Sequence, residues 1–411
     1  MKRFYFIAAM AIMAAACQKT EIQNEVQTPI GFSTEVGKQT RAIVQDGTYL
    51  TDQTFGVYAY GYQLETVEVQ GVPVTQRIEN STSTPMINIE ISYDDNGTDA
   101  DASDDAWRAT GDVKYYWPND PRTRLDFYAY SPYIQRLATQ DAPSTATGAD
   151  KNMTVSSLSH TENGGLVFEG YTHTNMYVDF MEATPIKEAK FSDPDGLQNS
   201  NSVTSGTVPM TFNHKMTQVL FKVTTDELYP GITFTVESIT LNNVKNQGNY
   251  NNGTWAPSGS ASYIIFPANT ANGAKNTNPL NMADNDQTPN VDESKMEAEI
   301  PLTNNANAAE KASMTTTGVI MIPQDVIAST TGNDPVNGQS FTIVYRIEGT
   351  GVASETVSKT VDLFKDAQST VHWEANKKIT YTVKIGLKEI LFEPSVADWT
   401  PADGNEYTFQ Q

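Results

Sequence analysis

Cysteine is nearly absent from these 411 residues. Cys17 stands alone, so no internal disulfide and no thiolate metal cluster can form. Histidine is almost as scarce. His160, His173, His214 and His372 lie far apart, and no metal-ligand spacing links them. Basic residues are few, 27 Lys and Arg against 49 Asp and Glu, for a net charge of −22. A chain this acidic is repelled by phosphate backbones, which argues against nucleic acid as a partner. A long apolar run is missing too: the best stretch, Phe4 to Ala16, is 13 residues, and a bilayer core needs about 20 helical residues. A Gly-x-Ser-x-Gly elbow, a Walker loop and a dinucleotide fingerprint are also lacking. Nothing in the sequence therefore implies an enzyme, a cofactor or a bound metal.

What is present reads first as an export signal. Lys2 and Arg3 precede the apolar stretch, which ends Ala14-Ala15-Ala16-Cys17. Small residues before a lone cysteine resemble a lipobox, with cleavage before Cys17 and lipid attached to it. An ordinary signal peptide with an incidental cysteine is the alternative. Several acyl chains would anchor the protein stably to a membrane. Loss of residues 1–16 removes two bases and no acid, so the mature charge becomes −24.

The rest is strand-rich. In Ile30–Val36, Ile30, Phe32 and Thr34 alternate with Gly31, Ser33 and Glu35, giving one apolar face. Residues 37–42, Gly-Lys-Gln-Thr-Arg-Ala, then read as an exposed connection with an arginine a protease could reach. Strands are predicted over Phe55–Tyr62, Lys114–Pro118, Leu125–Pro132, Met176–Met181, Val208–His214 and Met216–Val223, the last two as a close pair. Later ones are predicted over Ile232–Val244, Ser262–Phe266, Gly318–Ile322, Phe341–Ile347, Thr356–Leu363 and Ile379–Phe392. Val, Ile, Thr, Phe and Tyr dominate them, and few windows carry a 3.6-residue period, so the expected fold is an all-β sandwich. A composition shift near Ser200–Gly206 places a boundary between residues 42–205 and 206–411.

Three features invite a site. Residues 94–105 hold six aspartates, but Gly97 comes too early and no glutamate closes a calcium loop, so a solvated acidic loop is the simpler reading. His214 has no partner constellation in sequence and reads as a hydrogen-bonded structural histidine. Trp107, Trp255 and Tyr250 could stack on sugar faces if exposed, the basis of an alternative in which the chain is a surface glycan-binding lipoprotein.

The order of several pieces resembles one family. The lipobox at Cys17, Ile30-Gly31-Phe32-Ser33 and Thr40-Arg41-Ala42 look like the N-terminus of a fimbrillin, the subunit of type V pili. Phe55–Tyr62, Tyr115-Tyr116-Trp117-Pro118 with Leu125–Pro132, and Phe212-Asn213-His214-Lys215-Met216 resemble its middle. Trp373–Tyr381 and Val396-Ala397-Asp398-Trp399-Thr400 resemble its end.

The resemblance implies two transthyretin-like β-sandwich domains. It implies an outer-membrane lipoprotein precursor cut between Arg41 and Ala42 by an arginine-specific protease. It also implies head-to-tail self-association into a surface fimbria that supports adhesion. Residues 17–41 would be a propeptide whose strand, with Ile30 and Phe32 as plugs, departs. A C-terminal tail, roughly Ile390–Gln411, would replace it in a neighbouring subunit, with Leu391, Trp399, Tyr407 and Phe409 as pocket fillers. The same family allows a non-polymerising tip adhesin or membrane anchor, and a host or glycan ligand.

Overall fold

The structure is a computed structural model. It describes residues 28–36, 53–78, 81–95, 105–111, 113–135, 153, 155–173, 178–191, 202–203, 206–225, 232–266, 300–303, 313–315, 318–326, 338–349, 352–363, 371–387, 390–398 and 407–408. The described residues form strands and connections, with no helix among them.

The first half holds β1 (Gly31–Val36), β2 (Phe55–Val69), β3 (Val72–Arg77), β4 (Ser83–Asp94), β5 (Ala106–Ala109), β6 (Thr123–Ser131), β7 (Ser157–Thr161), β8 (Gly165–Thr172), β9 (Met181–Ala183), β10 (Ile186–Phe191), β11 (Ser202–Val203) and β12 (Thr207–His214). Seven of these close a ring. Going round it, β2 pairs with β4, then come β5, β1, β12, β9 and β6, and β6 pairs back onto β2. Closure is what alternation along β2 and β6 permits. Phe55, Val57 and Ala59 point inward with Leu125, Phe127 and Ala129, because successive side chains of a strand leave on opposite faces. Tyr58, Tyr60, Tyr128 and Tyr130 point outward and are buried all the same, under β7 and β8.

The second half holds β13 (Thr217–Thr225), β14 (Ile232–Val244), β15 (Gln247–Asn251), β16 (Thr254–Ser258), β17 (Ala261–Phe266), β18 (Ile300–Thr303), β19 (Ser313–Thr315), β20 (Val319–Met321), β21 (Gln324–Val326), β22 (Ser340–Gly349), β23 (Val352–Asp362), β24 (Val371–Trp373), β25 (Lys377–Ile385), β26 (Ile390–Asp398) and β27 (Tyr407–Thr408). One sheet runs β19-β13-β25-β26-β27 and the other β17-β14-β22-β23. Val219, Phe221, Ile379 and Tyr381 of the first meet Phe234, Leu241, Phe341 and Ile343 of the second in one dry core, the arrangement of a β-sandwich.

A third core joins the halves. The hairpin β15–β16 pairs with β8, so a four-stranded sheet β16-β15-β8-β7 takes strands from both halves. Phe168, Phe180, Tyr250, Trp255, Met216 and Ile320 fill it.

Several expectations are corrected here. Val208–His214 and the strand after it are not a pair: β12 bonds to β1 and β9, whereas β13 bonds to β25. The chain therefore changes sheet at Lys215–Met216, not at 205/206, since β12 is needed to complete the ring. Ile379–Phe392 is two strands, broken beside Gly386. Lys114–Pro118 makes only one bridge, at Tyr116. In Met176–Met181, Val178–Phe180 are not strand, and β9 starts only at Met181. Asp179 is instead turned onto buried His214, the histidine read from sequence as structural and hydrogen-bonded.

Of two other histidines, His173 is buried and His160 is half-buried. His160 stacks on Tyr58 and Tyr60, with centroids 4.7 Å and 5.6 Å away, and its Nδ1 lies 3.0 Å from the Tyr60 hydroxyl. Burial, helped by the positive charge of Lys187, pushes its pKa down to about 4. His173 is also lowered to about 4 by burial, partly opposed by the Ile320 backbone. The unfolded chain therefore takes up protons first. Stability should be full above about pH 6.5 and fall as the pH drops toward 4, by up to about 1.4 kcal/mol per pH unit for each histidine. Urea midpoints at pH 7, 6 and 5 measure this, and His160→Gln should flatten the slope.

Candidate functional site: the seat of the first strand

Strand β1 is a stave of the ring although about 70 residues separate it from one neighbour and 170 from the other. It runs parallel to β12 over six residue pairs, Gly31↔Thr207 to Val36↔Phe212. On its other side Phe32 lies opposite Trp107 of β5. Ile30, Phe32 and Val36 are buried, Thr34 is half-buried, and Ser33 and Glu35 face solvent. The alternation seen in the sequence thus sets which side chains enter the ring.

Phe32 reaches across the interior. Its ring meets Phe55 edge-on at 6.1 Å and Phe127 at 6.2 Å, and Phe55 in turn touches Phe212 at 5.3 Å. Such edge-to-face contacts add to the area buried. Each of the three buried side chains contributes about 1.5–3 kcal/mol by leaving water.

The start of the strand is clasped. The Ile30 amide donates to the Tyr115 carbonyl (2.8 Å), and the Trp117 amide donates to the Thr28 carbonyl (3.0 Å). The Gly31 amide and the Trp117 indole N–H both donate to the Gly206 carbonyl, at 3.1 and 3.0 Å. Gly206 has φ +76°, a backbone open to glycine at little cost, and a Cβ there would press on Thr28 and Pro29. Tyr115–Trp117 therefore lost their predicted strand to a different task, receiving the residues before β1. The Thr211 hydroxyl donates to Glu35 (2.7 Å) at the far end.

The C-terminal tail is seated on its own sandwich. β26 pairs with β25 over nine residue pairs, including Lys384↔Leu391. β27 is held on β26 by only two, Val396↔Tyr407 and Ser395↔Thr408. Cys17, Arg41, Ala42, Trp399 and Phe409 lie outside the described residues, as do 96–104 of the acidic loop. The ends of that loop are tied down: Arg108 bonds to Asp94 (3.0 Å), and the Tyr93 hydroxyl donates to Asp105 (2.7 Å). No group of metal-ligating residues occurs among the described residues.

The sugar-stacking aromatics are corrected. Tyr250 is wholly buried, and its hydroxyl donates to Glu182 (2.6 Å). Trp107 is buried between Phe55 and Tyr93. Trp255 packs on Phe168 and Tyr171, with its N–H on the Lys215 carbonyl. Trp107 and Tyr250 are core residues and Trp255 is half-buried against the third core, so two of the three aromatics cannot stack on a sugar.

A family profile described as fimbrillin-like matches residues 40–399. The chain belongs to the fimbrillin-like family. A search of curated proteins finds no match. Among solved structures, this fimbrillin-like chain is similar to a fimbrial protein from Bacteroides vulgatus ATCC 8482, at 17% identity over 90% of this chain and 99% of that one, TM-score 0.48. It is also similar to the tip fimbrial protein Mfa3 from Porphyromonas gingivalis, at 10% identity over 89% and 99%, TM-score 0.27.

Truncating the central plug should be costly in the uncut protein. Phe32→Ala is expected to lower stability by about 3–5 kcal/mol, whereas Ser33→Ala, on the exposed side, should change it by less than about 0.5 kcal/mol. Urea unfolding of both variants checks the contrast.

Proposed function

We propose that this fimbrillin-like chain is a pilus subunit held in an unassembled state by its own first strand. The observation that carries the reading is the ring closure by β1, with Ile30, Phe32 and Val36 as its inward side chains. A closed ring has no edge to offer another chain. Without β1, two edges, β5 and β12, would stand open above an apolar slot. An extended segment from a second copy satisfies both, main-chain bonds giving affinity and alternate side chains giving register.

The chain is exported as a lipoprotein anchored through Cys17 to the outer membrane. An arginine-specific protease cuts between Arg41 and Ala42, which leaves residues 42–411 at a charge of −24. The cut frees β1 from the covalent chain, so the strand is thereafter held only by packing and hydrogen bonds. The donor is the tail beyond β26. Withdrawing β26 would break nine residue pairs and uncover Val396, which packs on the second core, whereas withdrawing β27 breaks two. Tyr407 and Phe409 are two residues apart, the spacing of Ile30 and Phe32, and so face one side. Trp399 is a further filler. Leu391, inside β26, stays with its own domain. The contact is head-to-tail, so it extends as a filament at the cell surface.

Material sheared from cells should begin at Ala42 and appear as fibres by electron microscopy. Arg41→Ala should leave chains that begin at Cys17 and remain unpolymerised. Fibres whose subunits still carry residues 17–41 would overturn the reading. Deletion of residues 407–411 should give an exported, folded chain that assembles poorly, read by fibre yield against the full-length protein. Undiminished fibres would remove the tail as donor.

A further inference from the structure

Strand β2 outlasts the ring. Its last ring partner in register is Thr123, opposite Gln63, the Leu64 amide still donates to the Arg122 carbonyl (2.9 Å), and from Glu65 to Val69 it pairs only with β3. The two strands form a free-standing hairpin arm, closed by Gln70 and Gly71 with φ of 55° and 81°, the two-residue turn that favours positive φ at both positions. Val67↔Val74 and Val69↔Val72 are opposed pairs, so four valines share one face of the arm. Val69, Val72 and Val74 are 51%, 60% and 40% exposed. Two-stranded hairpins are marginal in water by themselves, and an apolar face on one is costly unless something covers it. The pairing also puts Pro73 in a non-hydrogen-bonded pair, where its missing N–H faces the open side of β3. That position blunts strand addition along the edge, so the arm offers a face and not an edge.

The arm's position selects its partner. β2 starts beside the end of the ring where β12 hands the chain to the second half, since Gly56 lies opposite Tyr130, and Tyr130 lies opposite Glu182. Lys215 and Tyr250 both reach Glu182 there. The arm therefore projects from the opposite end, the end at which β1 begins, because Gly31 pairs with Thr207 at the start of β12. The second sandwich has its own far end. There β13 finishes beside β25, Thr225 opposite Ile385, about 26 Å along the strand from Thr217. At that end Leu387 is 48% exposed, and Lys222 and Lys384 lie on the outer face of the sheet. The arm carries Glu65 on the valine face and Glu68 on the other. Two trimmed copies at −24 repel each other overall, so a contact between them gains from a place where lysines meet Glu65.

We infer that the valine face of the β2–β3 arm docks on the far end of the second sandwich of a neighbouring copy, around Leu387, Lys222 and Lys384. This rests on the head-to-tail assembly proposed above and adds a second contact to it, made by surfaces already formed in the single chain. The strand supplies the long-lived link, and the arm sets the angle and spacing between successive subunits.

The test mixes two variants, Val72→Cys and Leu387→Cys, each also carrying Cys17→Ser, trims them after Arg41, and exposes the mixture to oxygen. Disulfide-linked dimers should form in the mixture and be depleted in either variant alone. The double variant Val69→Asp with Val72→Asp, on an exposed surface that leaves the fold intact by circular dichroism, should slow fibre growth by about tenfold or more. If trimmed wild-type protein forms fibres but the mixture gives no such dimer and the aspartate variant grows at the wild-type rate, the arm contact is wrong and strand exchange stands. If trimmed wild-type protein forms no fibres at all, both fall together.

Discussion

A strand cannot leave a closed ring without uncovering two edges. That constraint organises the first half of this protein. In an open sheet, loss of an edge strand exposes one row of amides and carbonyls. Here β1 lies between β5 and β12, so its presence or absence changes the paired state of both neighbours together with the filling of the interior by Phe32. The same strand is a packing element in the single chain and, in the proposed assembly, the element to be exchanged.

The two ends of the chain are held differently, and the difference fits their proposed roles. β1 is buried on one face and clasped at its start by Tyr115, Trp117 and Gly206. β27 lies on the outside of the second sandwich by two residue pairs. An exchange that replaces a well-seated strand requires that the seated one first be released, which would make the proposed cut at Arg41 a control point. An exchange that uses a loosely held donor costs the donor's own domain little. The third core, shared between β7–β8 and β15–β16, joins the halves, so that in a filament the two ends of one subunit would be mechanically coupled.

The strands that sequence reasoning located best carry long alternating or continuous apolar runs, such as Ile232–Val244, Phe55–Tyr62 and Val208–His214. The strands it missed include the longer β4 and β8, and also β3, β5, β7 and β15, which are short and polar: Val-Pro-Val-Thr-Gln-Arg, Ala-Trp-Arg-Ala, Ser-Leu-Ser-His-Thr and Gln-Gly-Asn-Tyr-Asn. Their strand character comes from the partner they lie against, which a local window does not contain. Trp107 and Tyr250 show the same limit. Polar flanks make them look exposed, and only the fold reveals that both are core.

By itself the sequence determined the all-β class and the inward set of Ile30, Phe32 and Thr34, because each depends on local alternation or on composition. Only the tertiary structure decided that β1 closes a ring, that β12 belongs to the first half, that β15–β16 ties the halves together, and that the β2–β3 arm stands clear of the body. Those facts are pairings between residues tens to hundreds of positions apart. Hydrogen bonding and burial select such pairings collectively, and no single segment encodes its partner.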